Sequence, residues 1–211
     1  MATAKNVSNL KVKVVVDSFP ASPRDDSGLG TMVCEHSRYD LGDKDGLYEA
    51  VNFVEECFSE RQLENMGFDR TCLKSVENAL VFSGKALVLP LYLYDHSGIT
   101  MRTTPFSCPW DSSKVGFIFY SFADMRKEFG YLRINHSRKM FVNKQLKSEV
   151  EVYSQYLEGD VWGLIVEEDS EVKESVFGFY GGNPLINGMS SYLCEQTLSL
   201  VKNGNFERVY S

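Results

Sequence analysis

The stretch that decides the fold runs from Ala86 to Trp110 and reads ALVLPLYLYDHSGITMRTTPFSCPW. Its first part, Ala86–Tyr94, is apolar almost throughout, whereas Ile99–Phe106 alternates apolar and polar side chains. The four residues between them, Asp95–Gly98 (DHSG), begin with an aspartate and end with a glycine, which is typical of a tight turn between two strands. We therefore expect an antiparallel hairpin whose strands are Ala86–Tyr94 and Ile99–Thr104.

Hydrophobic periodicity predicts further strands and helices on both sides of this hairpin. The other predicted strands are Leu10–Asp17, Thr31–Cys34, Val115–Tyr120, Val161–Glu167 and Glu174–Tyr180, with an acidic turn at Glu168–Lys173 between the last two. The predicted helices are Leu47–Phe58, Cys72–Phe82 (where Val81 and Phe82 also suit the start of a strand), Phe122–Phe129, Arg138–Leu157 and Met189–Lys202. Most of the strands follow one another along the chain, so we predict an α+β fold with a largely antiparallel β-sheet and helices packed on it.

The helix Arg138–Leu157 has the clearest periodicity in the chain. Its apolar side chains recur at three- and four-residue spacing, which places them on one face of a helix. This stripe contains Val142, Leu146, Val150, Tyr153 and Leu157. We expect that face to pack on the sheet.

The length of 211 residues and the absence of an internal repeat or a linker-like segment predict a single α+β domain covering residues 1–211. Within it we expect a sheet-rich body at residues 10–181 and a C-terminal helix within residues 187–204. No apolar run reaches membrane-spanning length, and Met1–Leu10 is polar, without the core of a signal peptide. These features predict a soluble, intracellular protein.

Charge is distributed unevenly along a chain whose formal net charge is −7. Residues 40–64 contain eight acidic and two basic side chains, residues 149–174 contain nine and one, and residues 121–147 contain seven basic and two acidic ones. The first interpretation is that these are solvated helix faces and loop tips. The second is that an acidic face binds a basic surface on another protein. The acidic candidates for that contact are Glu55, Glu56, Glu60, Glu167, Glu168 and Asp169.

The segment Phe177–Pro184 (FGFYGGNP) interleaves aromatic residues with glycines. Such a pattern suits a strand whose small residues allow close packing, a contact patch for a protein or a stacking surface for bases, and the negative charge just upstream disfavours the last. Phe177, Phe179 and Tyr180 are therefore candidate partner-binding residues. A net negative charge disfavours duplex nucleic acid and anionic membranes, because phosphate neutralisation needs clustered lysines and arginines. We therefore expect a protein partner, with neither duplex nucleic acid nor a membrane bound directly.

The five cysteines are scattered and form no CxxC pair, which favours reduced thiols over a disulfide framework. Four residues have the ligand types of a structural zinc site, namely Cys34, His36, His96 and Cys108. The alternative is a buried cysteine with hydrogen-bonded histidines. We expect no cofactor, with zinc as the competing hypothesis.

The predicted turn also places a carboxylate, an imidazole and a hydroxyl together at Asp95, His96 and Ser97. A catalytic triad needs its members to converge from separate elements, and adjacent turn residues point in different directions. A thiol nucleophile at Cys34 or Cys108, paired with a histidine, suits the chemistry better. The chain has no phosphate-binding glycine loop, no HExxH and no GxSxG. A small metal- or thiol-dependent hydrolase centred on His96 therefore remains an alternative to a binding protein.

Five ordered blocks resemble a group of uncharacterised proteins that is common in bacteriophages and prophages. The blocks are Leu29–Asp43 (LGTMVCEHSRYDLGD), Leu89–Met101 (LPLYLYDHSGITM), Phe106–Phe119 (FSCPWDSSKVGFIF), Glu149–Gly163 (EVEVYSQYLEGDVWG) and Phe177–Gly181 (FGFYG). Glu35 and Phe177 stand where that group often has tryptophan. The resemblance implies a viral accessory protein in the cytoplasm of a host bacterium. Together with the charge pattern it favours an acidic inhibitor or modulator of a host defence protein, such as a nuclease, over a phage assembly or replication accessory.

Overall fold

The computed structural model describes residues 9–25, 28–108 and 110–210. Within them the chain forms an α+β fold with largely antiparallel strand pairing, as predicted, but its eight strands form two sheets where one was expected. Contacts within the chain divide it into two compact units. We call Ser22–Leu157 the central unit, and the described residues up to Ala21 together with those from Glu158 onward the terminal unit. The ends of the predicted 1–211 domain, residues 1–8 and 211, lie outside the described residues.

The elements alternate along the chain as follows. The strands are β1 (Leu10–Val16), β2 (Thr31–Cys34), β3 (Ala86–Asp95), β4 (Ile99–Arg102), β5 (Ser112–Ser121), β6 (Val161–Glu168), β7 (Glu171–Tyr180) and β8 (Glu207–Val209). The α-helices are α1 (Gly46–Cys57), α2 (Glu60–Met66), α3 (Leu73–Ser83), α4 (Phe122–Phe129), α5 (His136–Leu157) and α6 (Glu195–Lys202). None of the described helices is long and apolar enough to cross a lipid bilayer.

The central unit has three layers, with its sheet in the middle. The strands lie in the order β2-β5-β3-β4, and all of their pairings are antiparallel. Alternate residues of β5 face opposite layers: Phe117 and Phe119 pack in a core with α1, α2 and α3, whereas Ile118 and Tyr120 pack in a core with α4 and α5. The two helical layers are therefore on opposite faces of one sheet.

The hairpin that the sequence predicts is present, with Asp95 opposite Ile99 and Tyr94 opposite Thr100. Ser97 in the turn has a positive φ of 59°. The second strand ends at Arg102 and not at Thr104, because the Arg102 side chain bonds the carbonyls of Thr104 and Pro105 where the chain leaves the ladder. The longer partner of β3 is β5, which pairs with it from Ala86 to Tyr94.

The long helix is also confirmed, beginning two residues earlier than predicted. Val142, Leu146 and Val150 are each at most 1% exposed, and the helix packs against β3 and β4. The short helix α4 begins as predicted, because the Ser121 hydroxyl accepts the backbone N–H of Asp124.

The sheet of the terminal unit has the strand order β7-β6-β1-β8. β6 pairs antiparallel with both β1 and β7, whereas β8 runs parallel to β1. One face of this sheet is covered by α6 and a 3₁₀ turn at Met189–Tyr192. Val14, Leu164 and Met189 form the fully buried centre of that core.

The predicted acidic turn at Glu168–Lys173 is wrong, because β7 already begins at Glu171. The hairpin closes through Asp169 and Ser170 alone, which have φ angles of 51° and 71°. Two consecutive residues with positive φ make a turn whose twist matches the flanking strands. The Asp169 carboxylate also accepts the N–H of Asn9, which holds the turn in place.

The predicted C-terminal helix Met189–Lys202, within residues 187–204, is wrong as one element. The chain forms a 3₁₀ turn at Met189–Tyr192, becomes extended at Leu193 and Cys194, and then begins α6 at Glu195. The break lets Met189 enter the core while Thr197 bonds the carbonyl of Cys194 at the helix start. The strand β8 after Gly204 is not predicted by periodicity.

Helices α2 and α3 of the central unit differ in how well the sequence predicts them. The segment Cys72–Phe82 is helical, and Val81 and Phe82 belong to α3 rather than to a strand. The seven-residue helix α2 is not predicted, because Leu63 is its only buried residue. A local signal for it does exist: Ser59 and Gln62 form a capping box, and Gly67 ends the helix in the left-handed region.

Candidate functional site

The two helical layers of the central unit carry opposite charges. The acidic layer has five carboxylates and one arginine on α1 and α2: Glu49, Glu55, Glu56, Glu60, Glu64 and Arg61. The other layer has seven cations and two carboxylates on α4, on the first twelve residues of α5 and on the loop between them: Arg126, Lys127, Arg133, Arg138, Lys139, Lys144 and Lys147, with Asp124 and Glu128. Oppositely charged faces give the unit an electric field that orients approaching partners.

The acidic layer presents most of its carboxylates to solvent. Glu55 pairs with Arg70. Glu56, Glu60 and Glu64 are exposed and form no ion pair with any residue in the described part of the chain. Carboxylates without an internal partner are available to a cation from outside.

An exposed aromatic residue lies on the same helix as Glu55 and Glu56. Helix α1 buries Gly46, Ala50 and Val54, so its opposite face is turned to solvent. Tyr48 is on that face, and its side chain is 69% exposed. Tyrosine is one of the residue types that dominate binding energy at protein interfaces. This layer therefore combines charge with an apolar anchor.

The second predicted acidic group, on β6 and its turn, is used differently. The Lys13 ammonium lies 2.6 Å from the Glu167 carboxylate, and this hydrogen bond raises the pKa of Lys13. Asp169 accepts the N–H of Asn9 at 3.1 Å. Glu168 is half-buried at the end of β6. Two of the three carboxylates thus already have partners within the terminal unit.

The aromatic segment does not form one patch. Phe179 is 8% exposed and packs in the core of the terminal unit. Phe177 lies across Gly163, where an added Cβ atom would come within 2.4 Å of the ring, and 48% of its surface is exposed. The sheet register shifts here, and Gly178 has a φ of 88°, so the two phenylalanines face opposite sides of the sheet. The Tyr180 hydroxyl donates to the carbonyl of Ala21.

A buried ionic network, which the sequence does not reveal, connects three parts of the central unit. The Arg24 side chain is only 5% exposed and donates two hydrogen bonds of 2.7 Å to Asp43 and one of 3.0 Å to Glu149. Asp43 and Glu149 also accept backbone N–H groups, those of Met32 and Leu29 respectively. Burial alone would lower the pKa of Arg24, but the bonds and charges of both carboxylates outweigh it and raise that pKa.

Beside this network lies a cleft of about 810 Å³. Its wall includes Tyr153, whose hydroxyl accepts the N–H of Gly42 at 3.0 Å and whose pKa is raised by burial to about 12. Its volume suits a small molecule. The lining carries both cations and anions, namely Arg24, Arg38, Lys44, Asp25 and Asp40. The cleft therefore does not select a ligand by charge.

The turn residues do not form a catalytic triad. The Asp95 carboxylate pairs with Arg38 and accepts the Tyr39 hydroxyl at 3.3 Å. It therefore does not orient His96. The nearest acid to His96 is Asp111, with 3.6 Å between Nδ1 and Oδ2. Asp111 also accepts the thiol of Cys108 at 3.5 Å. Asp111 therefore occupies the position beside the Cys108 thiol that a histidine general base would need. Ser97 is exposed in the turn.

The four zinc candidates do not converge. His36 stacks on the Tyr39 ring at 4.9 Å, while Cys108 and His96 meet only through Asp111. Burial raises the pKa of Cys34 to about 12, with the charge of Asp43 adding to the effect, whereas zinc binds a thiolate. Among the residues that the structure describes, no three histidine, cysteine, aspartate or glutamate side chains are grouped to hold a metal ion.

The cysteines should differ in reactivity because their thiol pKa values differ. Hydrogen bonds with the side chain and with the backbone of Thr197 lower the pKa of the exposed Cys194, so more of this thiol is ionised at neutral pH than of Cys34. We expect iodoacetamide to modify Cys194 first and Cys34 last. Mass spectrometry of the digested protein after timed labelling measures this order. Equal rates in the native protein would show that Cys34 is not held as a neutral thiol.

Comparison with known protein families, with curated proteins and with solved structures gives no match to this chain.

Proposed function

We propose that this chain is a phage-encoded accessory protein that binds a basic surface on a host protein, such as a defence nuclease, and inhibits or modulates it. The origin is suggested by the resemblance of its sequence blocks to bacteriophage and prophage proteins. The binding role is suggested by the charge pattern. The binding surface in this proposal is the acidic layer on α1 and α2.

The carboxylates on α1 and α2 are a better docking surface than those at the turn of β6 and β7, because fewer of them are bonded within the fold. Glu56, Glu60 and Glu64 are exposed and have no ion-pair partner in the described residues. In the terminal unit, by contrast, Glu167 and Asp169 are engaged by Lys13 and Asn9. Unpaired surface charges steer association and select partners, whereas charges paired within the fold contribute less to an outside field.

Tyr48 gives this surface an anchor that acidic residues alone do not provide. Long-range attraction brings the partner to the surface, and burial of an aromatic side chain slows its dissociation. A partner that fits would present lysines or arginines around an apolar recess. Replacing Tyr48 with alanine should then increase the dissociation rate and leave the association rate nearly unchanged.

The proposal is tested by capturing bacterial proteins from a lysate on three immobilised forms of the protein. The first is the parent, and the second is the triple variant Glu56→Lys, Glu60→Lys, Glu64→Lys. The third is the control Glu168→Lys, Glu171→Lys, Glu174→Lys, which makes the same change in net charge on the terminal unit. We expect one basic protein to be retained by the parent and by the control but not by the α1–α2 variant.

Two results would contradict the proposal. One is the retention of the same proteins by all three forms at low salt, which would move the contact elsewhere. The other is a parent that retains no basic protein at all. The melting temperatures of the three forms should agree within a few degrees, because all six glutamates lie at the surface or at its margin.

A further inference from the structure

The basic layer of the central unit also exposes apolar side chains. Leu132, in the loop between α4 and α5, is 93% exposed, and Met140 and Phe141 on α5 are 56% and 45% exposed. Phe141 meets the edge of Phe129 at 5.7 Å, and Phe129 stacks on Tyr131, the neighbour of Leu132. Phe129 therefore links Phe141 on α5 to the loop that carries Leu132.

Two cations of this layer lie beside the exposed apolar side chain of Met140. Lys144 and Lys147 follow Met140 at four- and seven-residue spacing, which places them on the same helix face. None of the layer's seven lysines and arginines forms an ion pair with a residue in the described part of the chain. Cations that form no ion pair, next to exposed hydrocarbon, suit a partner that supplies both anions and an apolar phase.

A basic surface with aromatic residues suits either single-stranded nucleic acid or an anionic lipid bilayer. The two can be distinguished by whether the aromatic rings are exposed to solvent. Single-stranded nucleic acid needs free aromatic faces for base stacking. Here Arg138 covers the Tyr131 ring at 4.3 Å and Lys139 covers the Phe122 ring at 4.4 Å, so that Phe141 alone among the rings named offers an exposed face, too few for a row of stacked bases. The most exposed apolar group is the aliphatic Leu132 at a loop, which suits insertion between acyl chains.

The net charge of −7 does not oppose this contact. The acidic helices α1 and α2 lie on the other face of the sheet, so the outer surfaces of the two layers are separated by two helix diameters, roughly 20 Å. Exposed charges are screened over about 8 Å at physiological ionic strength. The net charge predicts that the protein avoids anionic membranes, but that number sums the charges of two surfaces that act separately.

We propose that the surface formed by Leu132, Met140, Phe141 and the neighbouring lysines and arginines binds the anionic surface of a lipid bilayer. Leu132 enters the boundary between headgroups and acyl chains. Arg133, Lys144 and Lys147 contact lipid phosphates. The acidic layer then faces away from the membrane and stays open to a protein partner.

The test is co-sedimentation of the full chain with vesicles. We expect binding to phosphatidylcholine vesicles that contain phosphatidylglycerol, and little binding to pure phosphatidylcholine. Each basic side chain near an anionic surface changes the partition coefficient about fivefold, so the double variant Lys144→Gln, Lys147→Gln should bind about twenty-five-fold more weakly. Leu132→Ser should weaken binding about tenfold, through the lost burial of the side chain.

The matched control is the double variant Arg61→Gln, Lys74→Gln, which removes the same charge from the opposite helical layer and should bind vesicles like the parent. Equal binding to both kinds of vesicle, or equal binding by the parent and the Lys144 and Lys147 variant, would overturn the proposal. A fluorescent single-stranded oligonucleotide is the second probe. Binding of the oligonucleotide without binding of anionic vesicles would assign the surface to nucleic acid instead. Circular dichroism confirms that each variant is folded.

Discussion

Replacing Arg24 with glutamine should lower the free energy of unfolding by about 3–5 kcal/mol. Arg24 is the only cation bonded to Asp43 and Glu149 in the described residues, and its side chain is 5% exposed. Glutamine leaves the two carboxylates close together without a counter-charge, and the cost of a buried unpaired charge exceeds that of a lost surface contact. Urea denaturation followed by circular dichroism measures the change.

The matched control is Arg70→Gln, which removes the exposed partner of Glu55. Exposed ion pairs contribute little, so this change should cost less than about 1 kcal/mol. Similar losses in the two variants would mean that the Arg24 network does not hold together the loop before β2, the segment before α1 and helix α5.

Replacing Val150 with aspartate should destabilise the protein by roughly 3–5 kcal/mol, because it puts a carboxylate into an apolar core without a partner. Val150 is 1% exposed and faces the sheet from the middle of α5. The control is Gln145→Asp, at an exposed position of the same helix, which should change stability by no more than about 0.5 kcal/mol. A Val150→Asp protein that melts like the parent would show that α5 presents another face to the sheet.

The elements that the sequence predicts well are those whose signal is local and repeated. Helix α5 repeats its apolar residues over several turns, and the hairpin of β3 and β4 combines two strand-like runs with a turn that ends in glycine. For α4, one serine cap and one glycine suffice, because each satisfies backbone groups at a helix end. Such signals need no knowledge of the rest of the chain.

The features that escape the sequence depend on partners far away in the chain. Arg24 is separated by 125 residues from Glu149, and nothing in its own segment distinguishes it from a solvated arginine. The strand β8 is only three residues long and exists because β1 offers it an edge. The turn of β6 and β7 is missed because Asp169 and Ser170 adopt positive φ without a glycine to indicate it.

At the candidate site, too, the sequence predicts the local charge pattern but not the contacts made through the fold. The charge runs in the sequence identify the acidic residues Glu55, Glu56 and Glu60, but they rank Glu167, Glu168 and Asp169 equally with them. Only the fold shows that Lys13 and Asn9 engage two of the second set. It also places acidic and basic helices on opposite faces of one sheet, which no linear charge pattern predicts.

In the proposed complex, α1 and α2 form the docking surface for a basic protein. The most direct measurement is the association rate of the captured partner with the parent chain at increasing salt concentration, alongside the Glu56, Glu60 and Glu64 charge-reversed variant. The account predicts a rate that falls as salt rises for the parent, and a slow rate with no such fall for the variant, because exposed charges are screened beyond about 8 Å at physiological ionic strength. A rate that is independent of salt and equal in both proteins would contradict it.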